Sequence, residues 1–166
     1  RKRVKEKKEG FFTRVVNGMI TLCLTAGMLW GLQACSGTNT AAGLKFAQLS
    51  DVHFLADGSN TTFKMTGESP RLLDDAVAQI NDYNDIDFVM FTGDLIDKSF
   101  EKELKAFLPH VEKLNAPWYF AFGNHDRCVG GYLNTLVYLD MVRNSNPDFK
   151  FKKAYYSFEP KKNYKV

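Results

Sequence analysis

Three short apolar segments of this chain each end abruptly in a cluster of polar residues, and this repeated pattern constrains the fold most. The segments run from Lys45 to Leu49, from Ile86 to Thr92 and from Pro117 to Phe122. They lead into Ser50-Asp51-Val52-His53, Gly93-Asp94 and Gly123-Asn124-His125-Asp126. A short apolar run stopped by glycine and small polar residues is typical of a buried strand followed by a loop. Because sites in open α/β sheets form beyond the carboxyl ends of the strands, the pattern predicts a site at that edge.

The segments between and after these strands carry the apolar spacing of helices. One set comprises Leu72, Leu73, Ala76, Val77 and Ile80, and another comprises Phe100, Leu104, Phe107, Val111 and Leu114. A third predicted helix covers Tyr132–Val142, with Leu133, Leu136, Val137 and Met141 facing inward. Strand character returns at Ala154–Phe158, before a turn at Pro160–Asn163 and a further strand. This alternation of strands and helices predicts the α/β class.

The three polar clusters together resemble the first three motifs of the calcineurin-like metallophosphoesterases. The resemblance rests on Asp51-x-His53, Gly93-Asp94 and Gly123-Asn124-His125-Asp126, spaced 43 residues from Asp51 to Asp94 and 30 from Asp94 to Asn124. It covers roughly residues 44 to 126 and is weaker beyond. It implies the first part of a two-sheet α/β sandwich flanked by helices, over a domain at 44–166 that we expect to be truncated.

The resemblance also implies a role for each residue of the clusters. Asp51 and His53 would bind a first divalent ion, Asp94 would bridge two ions, and Asn124 would bind the second. His125 would protonate the leaving alkoxide, and Asp126 would hold the His125 imidazole in the useful tautomer. Oxygen and imidazole donors suit Mn, Fe or Zn. The implied activity is hydrolysis of phosphomonoesters or phosphodiesters through a metal-bridging hydroxide, with a small-molecule or nucleotide substrate.

Each of these residues also has a simpler interpretation. The aspartates can cap loops, His53 can be a surface histidine, and Asn124 can be a turn residue. We interpret Asp97 as a loop or helix-start residue, His110 as structural or exposed, and Cys128 as a free loop cysteine. Taken singly these interpretations are preferable, but three coincidences at strand ends favour a joint site.

The histidines of the chain are few for a complete site of this family. His53, His110 and His125 are the three present, whereas the family adds further histidines from later strands. We therefore expect that the C-terminal half is missing and that the isolated fragment is poorly stable and inactive. The alternative is a degenerate, non-catalytic lipoprotein that uses the scaffold for binding.

The first 43 residues are predicted to direct the chain to a membrane. Residues 1–14 contain seven Lys/Arg and two Glu, and an apolar run from Val15 to Leu32 follows. This order is that of a secretory signal, and Leu32-Gln33-Ala34-Cys35 resembles a bacterial lipobox. It predicts a signal peptide at 1–34, a lipidated Cys35 and a flexible tether at 35–43, so that the domain lies outside the cytoplasm on a bacterial membrane. The alternative is an uncleaved anchor helix.

Charge and cysteine content exclude other classes of protein. The net charge of +3 comes from the N-terminus, because residues 35–166 hold 15 Lys/Arg and 17 Asp/Glu. A basic face for nucleic acid is therefore not predicted. With Cys23 and Cys35 assigned to the signal and the lipid, Cys128 remains alone and no disulfide framework is expected.

Overall fold

The computed structural model describes residues 43–166, which contain a parallel sheet of three strands. The strands are β1 (Phe46–Leu49), β2 (Phe88–Phe91) and β3 (Trp118–Phe120), and they lie in the order β1-β2-β3. Phe46 pairs with Phe88 across the first interface, and Phe91 pairs with Phe120 across the second. Parallel neighbours require crossover connections, and here each crossover contains a helix. The predicted α/β class is confirmed.

Three α-helices follow the strands in turn. They are α1 (Ser69–Asn81), preceded by a 3₁₀ turn at Thr66–Glu68, α2 (Glu101–Val111) and α3 (Thr135–Ser145). Helix α2 packs between α1 and α3. The apolar stripe predicted for α2 is confirmed in part: Leu104, Phe107 and Val111 are fully buried, whereas Phe100, just before the helix, is 40% exposed. Pro109 lies within α2, which continues as far as Val111.

The two faces of the sheet are covered differently. Successive strand residues point to opposite faces, and Val89 and Phe91 join the core beneath the helices. On the other face, the Phe158 ring stacks on Tyr119 at 3.7 Å and meets Phe88 edge-on at 5.2 Å. Strand β2 is therefore buried on both sides, which explains its nearly continuous apolar sequence.

The strand expected at Ala154–Phe158 does not form. Its residues are irregular, although Phe158 and Val166 exchange two backbone hydrogen bonds of 3.1 and 3.0 Å. The free edge of β3 is occupied by a side chain instead, because the Tyr156 hydroxyl accepts from the Phe120 amide at 2.9 Å and donates to the Phe120 carbonyl. A phenol thus occupies backbone hydrogen-bonding groups on the edge of β3.

The inward face predicted for the last helix is also wrong in part. Helix α3 begins at Thr135, three residues later than expected, because the Asn134 side chain caps it by accepting from the Leu136 amide at 2.8 Å. Tyr138, Leu139 and Val142 are its buried residues. Leu136 and Val137 were expected inside, yet their exposed fractions are 64% and 38%.

The residues predicted to direct the chain to a membrane fall outside this description. The signal peptide at 1–34, the lipidated Cys35 and the tether up to residue 42 are not among the described residues, so these assignments stay predictions. Within residues 43–166, none of the helices combines the length and apolarity needed to cross a membrane.

Candidate metal centre

The loops that follow β1 and β2 are joined to each other by backbone hydrogen bonds. The Asp51 amide donates to the Gly93 carbonyl at 3.1 Å, and the His53 amide donates to the Asp94 carbonyl at 2.9 Å. The pairing continues when the Phe54 amide donates to the Leu95 carbonyl at 3.0 Å. The parallel pairing of the strands therefore extends into the loops and brings the first two motifs together.

Three of the predicted site residues have left-handed backbone conformations. The φ angles are 54° at Asp51, 45° at His53 and 52° at Asp94, and the fourth non-glycine residue of this kind in the described chain is Asn163. Such conformations cost about 1–3 kcal/mol each and cluster at functional sites. The surrounding hydrogen bonds hold these three residues in their strained backbone conformations. The strain is therefore kept in exchange for the directions in which the Asp51, His53 and Asp94 side chains point.

The side chains of these residues converge. The Nε2 atom of His53 lies 3.9 Å from Oδ1 of Asp51 and 3.9 Å from Oδ2 of Asp94. These distances are too long for hydrogen bonds, but they suit donors that share one ion at about 2.0–2.2 Å each. Ligand atoms of His53, Asp94 and His125 also lie within 4.8 Å of one another. The donor set and its spacing fit a divalent transition-metal ion.

Asp94 and Gly123 are in close contact, which joins the second and third motifs. Oδ1 of Asp94 accepts from the His125 amide at 2.9 Å, so the carboxylate passes directly beside the Gly123 backbone. A Cβ atom at position 123 would lie 1.9 Å from that oxygen and 2.4 Å from the Asp94 amide nitrogen. Only glycine leaves room for the Asp94 carboxylate in this position.

His125 is held by a backbone carbonyl. Its Nδ1 lies 2.7 Å from the carbonyl oxygen of Asp97, and a carbonyl can only accept, so Nδ1 carries the hydrogen. The remaining nitrogen, Nε2, is therefore the atom left to exchange a proton. The ring meets that of His53 edge-on, with centroids 4.5 Å apart. This geometry suits a general acid beside a metal-binding histidine.

Asp126 has partners other than the His125 ring. This residue is fully buried, and its Oδ1 accepts from the amides of Leu95 at 2.9 Å and Ile96 at 3.2 Å. Its Oδ2 accepts from the Gly123 amide at 2.8 Å. The carboxylate is thus committed to loop amides and does not orient the His125 ring. Burial raises the pKa of Asp126, although these hydrogen bonds from the amides oppose the increase.

Asp97 is the site residue that the sequence interpretation missed. Its Oδ1 lies 3.1 Å from Nδ1 of His53, which has no aligned hydrogen bond, and 2.6 Å from Nζ of Lys64. Burial raises the pKa of Asp97, but the hydrogen bond and charge of Lys64, with His53 and His125, outweigh it and lower the pKa. The signal in the sequence was its position three residues after Asp94. Carboxylates behind a ligand histidine orient the ring and raise its basicity.

The other candidate residues lie at the margin of the site or away from it. The backbone carbonyl of Asn124 accepts from the amides of Arg127 and Cys128 at 3.2 and 3.0 Å, which begins a turn. Its side chain is exposed, and its role as a ligand of a second ion stays a prediction. Cys128 is exposed and free. His110 lies on α2, as expected, where its Nδ1 pairs with Asp74 at 2.9 Å.

Comparison with known proteins identifies the family. The family model of the calcineurin-like phosphoesterases matches residues 44–163, and the chain belongs to this family. The chain is 37% identical over 86 residues to a probable cyclic nucleotide phosphodiesterase of Rhodopseudomonas palustris, covering 51% of this chain and 30% of the relative. It is 34% identical over 80 residues to a probable glycerophosphodiester phosphodiesterase of Arcobacter nitrofigilis, covering 48% and 29%. The matches span less than a third of the length of these curated relatives.

The family membership confirms the resemblance deduced from the three motifs. It also confirms the fold class, since the described residues form a parallel sheet with three α-helices within the matched region. A calcineurin-like phosphoesterase is a hydrolase of phosphate esters, and the family implies divalent metal ions. The His53, Asp94 and His125 cluster lies inside the matched residues.

Proposed function

We propose that the protein is a metal-dependent phosphoesterase that hydrolyses phosphomonoesters or phosphodiesters outside the cytoplasm. One observation supports this proposal above the others. The Nε2 atom of His53 lies 3.9 Å from a carboxylate oxygen of Asp51 and 3.9 Å from one of Asp94, and the His53 ring contacts the His125 ring. Donors at this spacing, in strained backbone conformations, are what a bound cation would require.

The residues of the chain divide the work between holding ions and moving a proton. Asp51, His53 and Asp94 would hold a first ion, and Asp94 with Asn124 would hold a second. Divalent ions in these positions would neutralise phosphoryl charge and lower the pKa of a coordinated water. The donor types suit Mn, Fe or Zn.

His125 would supply the proton for the leaving group. The attacking water first loses a proton to solvent, and His125 starts with a hydrogen on both ring nitrogens. As the hydroxide oxygen forms its bond to phosphorus, the phosphorus–oxygen ester bond breaks and the leaving alkoxide takes the proton from Nε2 of His125. The hydrogen on Nδ1 stays with the Asp97 carbonyl at 2.7 Å and keeps the ring in this orientation. General acids of this kind contribute about 10²–10⁴-fold to the rate.

The class of substrate is a phosphate ester of a small molecule or nucleotide. Both relatives described above are named as phosphodiesterases, which favours a diester. The near-neutral charge of residues 35–166 gives no support to a nucleic-acid polymer as substrate.

Hydrolysis tests the proposal directly. The full-length protein, supplied with Mn²⁺ or Zn²⁺, is expected to release p-nitrophenol from p-nitrophenyl phosphate or its diester, whereas the isolated fragment is expected to be inactive. Asp94→Asn and His125→Ala are expected to lower kcat at least about 100-fold, whereas His110→Ala serves as the matched control. The absence of both tight metal binding and hydrolysis would favour the non-catalytic binding lipoprotein instead.

Anchoring to a membrane through Cys35 is a separate part of the proposal. The basic residues 1–14, the apolar run and the Leu32-Gln33-Ala34-Cys35 sequence support it. Expression in a bacterium with an alkyne-labelled fatty acid is expected to label the chain and Cys128→Ser, but not Cys35→Ser. Equal labelling of both variants, or labelling of neither, would contradict the lipobox assignment.

A further inference from the structure

A cavity of about 460 Å³ opens directly beside the metal centre. Its lining includes Asp51 and His53, which belong to the site, and it extends between the loop at Phe63–Thr66 and helix α1. The volume is within the range of small-molecule sites, about 300–1,000 Å³. The cavity is therefore continuous with the position that a phosphate would take.

Most of the remaining lining of the cavity is apolar. This apolar part is formed by Leu49, Val52, Phe63, Met65, Leu72 and Leu73. Phe63, Met65 and Leu72 are exposed to 94%, 63% and 48%, which is unusual for side chains of this size grouped at one opening. These residues are available to cover an apolar group of a ligand.

The hydroxyl groups in the cavity already donate within the protein. Ser69 Oγ donates to the Thr66 carbonyl at 2.8 Å and accepts from the Leu55 amide at 3.1 Å. Thr66 Oγ1 donates to the Ser59 carbonyl at 3.0 Å, and Ser50 Oγ donates to Asp51. A hydroxylated group such as glycerol would lose its water here with little replacement, whereas an apolar group would lose nothing.

One cation lines the cavity close to the metal centre. Lys64 lines the cavity and is held by Asp97, 2.6 Å from its Nζ, which in turn contacts His53. The cavity thus combines one cation, held close to the metal centre by Asp97, with a mostly apolar lining.

We propose that this cavity is a subsite for an apolar ester group, an alkyl chain or an aryl ring, of the phosphate ester substrate. The inference rests on the proposed function, because it places the ester group next to the phosphate that the metal centre would hold. It selects apolar esters over esters of glycerol or of a sugar. The discriminating residues are Leu72 and Met65, which act through contact with the ester group and not through the reacting atoms.

Calorimetric titration of the metal-loaded full chain with alkylphosphonates tests the subsite, because their carbon–phosphorus bond is not hydrolysed. Each added methylene is expected to lower Kd about threefold, so that hexylphosphonate, with five more methylenes, binds about 240-fold more tightly than methylphosphonate. The dihydroxypropyl phosphonate is expected to bind no more tightly than the methyl compound. Leu72→Ser and, independently, Met65→Ser are expected to reduce the ratio of hexyl to methyl affinity.

The matched control is Leu136→Ser, since Leu136 is a similarly exposed leucine on α3 that does not line the cavity. An unchanged ratio in both Leu72→Ser and Met65→Ser, or affinity that does not depend on chain length, would overturn the subsite while leaving the proposed function intact. Failure of every phosphonate to bind the metal-loaded chain would overturn the proposed function and the subsite together.

Discussion

Replacing Gly123 by alanine tests whether the three motifs form one centre. The added Cβ would lie 1.9 Å from Oδ1 and 2.4 Å from the amide nitrogen of Asp94, and the amide nitrogen belongs to the backbone, which cannot rotate away. Ordinary contact begins near 3.4 Å, so the Asp94 backbone must shift by about 1 Å and its carboxylate by more. The hydrogen bond from the His125 amide to Asp94 is lost in the same movement.

The energetic effect can be estimated from these contacts. Overpacking of this kind costs about 1–3 kcal/mol, and the lost hydrogen bond adds about 1 kcal/mol. The expected fall in Tm is on the order of 10 °C for a domain of this size. Because Asp94 would bridge two ions, Gly123→Ala is also expected to weaken Mn²⁺ or Zn²⁺ binding at least about tenfold.

The assay is thermal unfolding together with calorimetric metal titration, and the chain offers a matched control. Gly43→Ala introduces the same methyl group at a position where nothing lies within 4 Å of the new Cβ. It is expected to behave as the wild type in both measurements. If Gly123→Ala has the same Tm and the same metal affinity as Gly43→Ala, the close contact between the second and third motifs is not what holds Asp94 in position.

Three further predictions follow from contacts around the centre. Asp126→Asn is expected to lower the free energy of unfolding by about 1–3 kcal/mol, because an amide nitrogen would face the Gly123 amide that now donates at 2.8 Å. Asp97→Asn is expected to weaken metal binding about 10–100-fold in calorimetry, because the carboxylate behind His53 loses its charge. Burial raises the pKa of Tyr156 to about 12, against an ordinary value of 10.0, although its hydrogen bond with Phe120 opposes the increase. The folded state therefore favours the protonated phenol, and the stability that this contributes is complete below pH 10 and is lost as pH rises toward 12. The advantage of the wild type over Tyr156→Phe in urea unfolding should accordingly shrink across that interval.

Each of these predictions has a control and a contrary outcome. Asp57→Asn removes a carboxylate that is 90% exposed, and it is expected to change neither stability nor metal affinity. Asp126→Asn or Asp97→Asn behaving like Asp57→Asn would refute the corresponding contact. A difference between the wild type and Tyr156→Phe that stays constant from pH 8 to pH 12 would show that the phenol proton does not stabilise the edge of β3.

The site was largely predictable from the sequence because its residues are local to strand ends. A buried parallel strand is recognisable from its apolar composition. The residue that follows it must lie at the edge of the sheet formed by the carboxyl ends of the strands. Asp51, His53, Asp94 and His125 were therefore predicted to converge without knowledge of any distance. Asp97 was not, because nothing in its neighbours distinguishes a carboxylate that turns toward His53 from one that begins a helix.

The two wrong predictions about the fold share one cause: single side-chain contacts determine the local structure in both places. The segment Ala154–Phe158 has the composition of a strand, but the Tyr156 hydroxyl and the Phe158 ring bind the sheet in place of backbone pairing. The start of α3 depends on one capping contact at Asn134, and a later start changes which residues face the core. Neither contact leaves a trace in the hydrophobic periodicity of the sequence.

The sequence alone determined the α/β class, the family and the strand ends at which the centre lies, because these depend on hydrophobic periodicity and on motif spacing. The tertiary structure alone decided the partners of the site residues. It turned the buried Asp126 toward loop amides, gave His125 a backbone carbonyl, and set Asp97 behind His53. Hydrogen bonds and ion pairs form only where donor and acceptor atoms are placed to within a few tenths of an ångström, and residues far apart in the chain reach such positions only once the strands have paired.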